Sequence, residues 1–197
     1  LSVKTGMLRG PRGEWFRPDA RPEALKNFVA YSLGRLGTDY IDIVRSARVD
    51  PAVPIEESVG ALKDLLEAGV VRHIGLSEVS AETLRRAYAV HPISDVQIEY
   101  SLLSRRPEDE LIPTCKELGV SITAYGVLSR GLLSGHWSAD RELPVNDFRR
   151  YSPRFQGENL VKNLELVDLL RQIAEERGAS VAQVAIAWVL HQERLSV

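Results

Sequence analysis

A single cysteine, Cys115, excludes any internal disulfide. It sits in the pattern Leu111-Ile112-x-x-Cys115-x-x-Leu118, at helical spacing, which predicts a core residue rather than a nucleophile. No apolar run approaches the roughly 20 residues that a membrane-spanning helix needs, and Leu1-Ser2-Val3-Lys4 does not read as a signal peptide. A cytoplasmic setting is therefore the expectation. The formal net charge is only −2. With no lysine-arginine run, it leaves no electrostatic footprint for nucleic acid or for an anionic membrane. His73, His91, His136 and His191 lack metal-ligand spacing to one another, so no metal site is expected. Neither a P-loop nor a G-x-S-x-G elbow is present.

What the sequence does hold is an alternation of short apolar runs and helical patterns. Tyr40-Ile41-Asp42-Ile43-Val44-Arg45-Ser46-Ala47 reads as a buried strand running into the polar loop Arg48-Val49-Asp50-Pro51. Ahead of it lie the short strand Leu1 to Thr5 and a long loop, Gly6 to Arg21. A helix then opens at Pro22, follows Leu25, Phe28, Val29, Leu33 and Leu36, and stops at Gly37. The unit recurs: a helix on Ile55, Val59, Leu62 and Leu66, then a strand from Val71 to Leu76, then a helix capped by Ser80. Val96 to Tyr100 and Val120 to Tyr125 read as the next strands, with the Cys115 helix between them. After a polar stretch, Gly126 to Gln156, two helices close the chain. Ser180-x-x-Gln183 is a capping box opening the second.

Five such βα units imply a parallel sheet. No G-x-G-x-x-G follows the first strand, which favours a TIM-type (β/α)8 barrel over a dinucleotide-binding open sheet. Five strands cannot close that barrel. The expectation is a single, incomplete barrel domain over residues 1–197. Its open edges would be closed either by further chain or by a homo-oligomeric, strand-swapped partner.

Four segments carry a family resemblance in order and spacing. They are Ser32-Leu33-Gly34-Arg35-Leu36-Gly37-Thr38-Asp39-Tyr40-Ile41-Asp42, Val71-Arg72-His73-Ile74-Gly75-Leu76-Ser77-Glu78, Val96-Gln97-Ile98-Glu99-Tyr100-Ser101 and Ala124-Tyr125-Gly126-Val127-Leu128-Ser129-Arg130-Gly131. The chain resembles the aldo-keto reductases, and its units match strands three to seven of that barrel. The resemblance implies reduction of a small-molecule aldehyde or ketone with NADPH. It also implies a catalytic tetrad of aspartate, tyrosine, lysine and histidine. Lys4 matches the lysine, and Ala47 stands at the histidine position. The aspartate and tyrosine belong to strands with no counterpart in this sequence.

The resemblance further assigns Ser77 and Gln97 to the nicotinamide carboxamide, with Glu78 where many members have asparagine. Tyr125 would stack on the nicotinamide ring, and Leu128, Arg130 and Gly131 would lie along the pyrophosphate. Gly126-Val127 departs from the family's usual Ser-Pro. An alanine cannot orient a carbonyl, so weakened or lost reduction is expected. Two alternatives stay open: a non-reductive dehydratase or cyclase on the same barrel, and a non-catalytic binding or assembly module. Period two puts Arg45 on one face with Ile43 and Ala47, and the resemblance implies that this face looks into the barrel, where a guanidinium needs a partner. Glu99 is the candidate, an anionic substrate the alternative. Trp15 and Trp137, in the two long loops, are candidates for an apolar substrate wall.

Overall fold

The structure is a computed structural model that describes residues 1–192 together with the short strand Leu195–Ser196. It divides into two compact units. The first comprises Leu1–Ile98 and Pro107–Thr123, the second Glu99–Arg106 and Ala124–Val197.

The first unit is built on parallel strands. β1 (Ser2–Thr5) pairs with β4 (Ile41–Ser46), β4 with β5 (Val71–Ser77), and β5 with β6 (Asp95–Glu99). β7 (Ser121–Tyr125) opens beside this sheet, the Ser121 N–H donating to the Ser94 carbonyl at 3.1 Å. Helices α1 (Pro22–Leu36), α2 (Ile55–Glu67), α3 (Ala81–Val90) and α4 (Leu111–Leu118) connect successive strands. Pro22 occupies the first turn of α1, where its missing N–H costs nothing, and Gly37 ends that helix in the left-handed region. The Ser80 side chain accepts from the Thr83 N–H and starts α3.

The apolar faces of these helices meet the sheet. Leu25 and Val29 of α1, Val59 and Leu62 of α2, Leu84 and Ala87 of α3, and Cys115 of α4 are buried with Ile41, Val44, Ile74, Leu76 and Val96 of the strands. Full burial stabilises each of the larger side chains by about 2 kcal/mol. Burial also pushes the Cys115 thiol up to about 12, so it is inert in the native state.

Residues 6–21, with no alternation that marks a strand, hold an antiparallel hairpin. Its strands are β2 (Met7–Arg9) and β3 (Trp15–Pro18). The Arg9 guanidinium lies 3.1 Å from the Trp15 ring centroid and stiffens it.

The partner expected for Arg45 requires a correction. Arg45 is 5% exposed and its guanidinium pairs with Asp95, also 5% exposed, not with Glu99. Register gives the reason. Arg45 lies level with Gly75, and Gly75 level with Asp95. A side chain at position 75 would collide with the Asp95 carboxylate and sit 2.7 Å from the Arg45 Cγ. Glycine leaves the space through which the two charges meet. Ser2 Oγ accepts from the guanidinium as well, and Thr123 Oγ1 donates to Asp95 at 2.7 Å.

The second unit packs Leu132, Leu133, Trp137, Phe155, Val167, Ala174, Val181 and Ala185 into its own core. Helices α5 (Gly157–Glu176) and α6 (Val181–Leu190) frame it, and β8 (Leu195–Ser196) follows. The Ser180–Gln183 capping box is formed in both directions. Trp137 packs against Phe155, the rings tilted by 48° with centroids 4.6 Å apart, and is buried. It is a core residue, not a pocket wall, because its loop folds back under α5 and α6.

Removing one member of the buried pair leaves an unpaired buried charge. Arg45→Met is expected to cost about 3–5 kcal/mol in urea unfolding, and a combined Arg45→Met, Asp95→Leu variant to recover most of that loss.

Candidate functional site

Parallel strands carry their chemistry at the C-terminal ends, where each turns into the next helix. In the first unit those ends bear Lys4 on β1, Ala47 just after β4, Ser77 and Glu78 at the end of β5, and Gln97 on β6. Backbone hydrogen bonds hold them in register. The Ala47 N–H donates to the Thr5 carbonyl at 2.8 Å, and the Glu78 N–H to the Gln97 carbonyl at 3.0 Å. Ser77 lies level with Gln97. Glu78 adopts a left-handed φ of +56°, a strain that glycine or asparagine relieves and glutamate does not.

Lys4 is held below the usual lysine range. Burial is the largest cause, and the positive charges of Arg48 and Arg45 add to it, while Glu78 acts in the opposite sense. The link to Arg45 follows from the sheet, because Lys4 and Arg45 are register partners. Ala47 is 6% exposed and presents only a methyl group. Ser77 is fully buried, and its hydroxyl has no hydrogen-bond partner among the described residues.

A cavity of about 550 Å³ opens beside Lys4 and Ala47. Trp15, Phe28 and Tyr31 give it an apolar wall, and Arg35 and Arg48 a basic one. Arg45 does not line it.

In the second unit Tyr125, Leu128, Arg130 and Gly131 fall on one tightly held loop. Ser129, Arg130 and Gly131 take φ of +48°, +61° and +98° in succession. The Ser129 N–H donates to the Gly126 carbonyl at 2.7 Å, and the Gly131 N–H to Leu128 at 2.9 Å. Side chains brace this turn. The Ser101 and Ser129 hydroxyls are 2.9 Å apart, and Arg149 donates to the Arg130 carbonyl at 3.1 Å. Arg130 lies 5.4 Å from the Tyr125 ring centroid and also donates to Glu99 at 3.2 Å. Arg154 donates to the same carboxylate at 3.1 Å. Glu99 is thus the anchor of an arginine cluster, a role its sequence neighbourhood did not signal. Gly126 takes φ of +66°, and a Cβ there would sit 3.2 Å from the Glu99 Cγ.

The whole chain, residues 1–197, matches the Aldo/keto reductase family. It is 45% identical to "Probable aldo-keto reductase 1" of Glycine max over 88% of this chain and 50% of that protein. It is also 45% identical to "Aldo-keto reductase str7" of Strobilurus tenacellus, over 98% and 56%. The chain belongs to the aldo/keto reductase family. It spans about half the length of the curated relatives it matches. Among solved structures, the glycerol dehydrogenase of Gluconobacter oxydans superposes with a TM-score of 0.94 at 32% identity. That match covers 98% of this chain and 60% of the other. A thermostable aldo-keto reductase with bound epalrestat gives 0.68 at 26% identity, over 89% and 55%. The parallel sheet with its outer helices is accordingly an incomplete aldo-keto reductase barrel.

Of the residues singled out by resemblance, Lys4, Ala47, Ser77, Glu78 and Gln97 meet at one end of one sheet in this family member. Trp15 lines the cavity beside them; Arg45 lies buried in its ion pair. No sequence signal marked Thr5 or Arg48, which also line the cavity. Their signal is register, since Thr5 follows Lys4 and Arg48 follows Ala47. Replacing Glu78 with asparagine is expected to raise stability by about 0.5–1 kcal/mol in urea unfolding, by relieving the left-handed strain. The same change removes the carboxylate that opposes the fall in the Lys4 pKa, so that pKa should drop further in a pH titration.

Proposed function

We propose that the protein containing this chain binds NADPH and a small aldehyde or ketone, and that its reductase activity is weak because of Ala47. The observation that carries this reading is a methyl group where the family has an imidazole, beside Lys4 and open to the cavity. A histidine there would donate a hydrogen bond to the carbonyl oxygen as negative charge develops on it. Alanine donates none.

The residues present fit a nicotinamide amide. A fully buried Ser77 hydroxyl without a protein partner is costly unless a ligand satisfies it. Gln97, level with it, offers both a donor and an acceptor. Ser77, Glu78 and Gln97 would hold the carboxamide. When bound, NADPH supplies the hydride. Lys4 contributes a positive charge at the strand end, and Trp15, Phe28 and Tyr31 offer an apolar surface beside it.

Two measurements on the complete protein test this. NADPH oxidation with simple aldehydes should be slow, and Ala47→His should raise kcat/KM about tenfold or more with little change in NADPH affinity. Rapid reduction by the parent protein, with no gain on introducing histidine, would overturn the reading. Ser77→Ala should raise the urea midpoint of the cofactor-free protein slightly, since no hydrogen bond within the protein is lost and an unsatisfied buried hydroxyl is removed. It should weaken NADPH binding about fivefold to tenfold in a fluorescence titration. A stability loss with unchanged NADPH affinity would instead make Ser77 a packing residue.

A further inference from the structure

We draw no further inference here: the strongest candidate, the exposed apolar stripe of Leu166, Leu169 and Ile173 along α5 in the second unit, carries nothing because nothing in the structure shows what covers it.

Discussion

The buried pair of Arg45 and Asp95 is the constraint around which the first unit is arranged. Two charges taken out of water are costly, and their attraction offsets that cost only when every remaining donor and acceptor is used. Here the carboxylate accepts from Nε and Nη2 of the guanidinium and from the Thr123 hydroxyl, and Nη1 donates to Ser2. Those contacts link β1, β4, β6 and β7 at one level. A slip of one residue in any of these strands would turn a member of the cluster to the opposite face and leave a charge buried alone. Gly75, on the strand between the partners, completes the arrangement by contributing no side chain.

That interior cluster reaches the candidate site through the sheet. Lys4 is the register partner of Arg45, so the charge that fixes the strands also disfavours a proton on Lys4. Arg48 adds a second positive charge from the loop after β4, and it arrives with Ala47 because the two are consecutive. The result is a strand end with an amine whose pKa is lowered, a methyl group at Ala47, and a basic, aromatic cavity alongside.

The second unit solves a different problem, the holding of a loop in an unfavourable backbone conformation. Three successive left-handed residues persist only where the surroundings over-determine them. Ser101, Arg149 and Glu99 supply that restraint from three directions. Gly126, where the family usually has serine, is explained by its left-handed φ and its approach to Glu99.

Local chemistry alone decided much of this protein. Helix spacing, Pro22, Gly37, Ser80 and the Ser180 capping box set the elements, because each acts within a few residues of itself. The alternation of those elements gave the parallel sheet, and four short segments identified the family and, with it, Lys4 and the substitution at Ala47. The hairpin of Met7–Arg9 and Trp15–Pro18 escaped notice because strands so short, rich in arginine and proline, show no alternation. Trp137 lay in a polar stretch, and only packing on Phe155 made it core. Period two places residues 95, 97 and 99 on one face of β6, so the sequence allowed either Asp95 or Glu99 to meet Arg45. Strand register chose Asp95, across the gap at Gly75. Likewise the unsatisfied hydroxyls of Thr5 and Ser77 exist only as properties of the folded chain, since being buried without a partner depends on neighbours that sequence distance conceals.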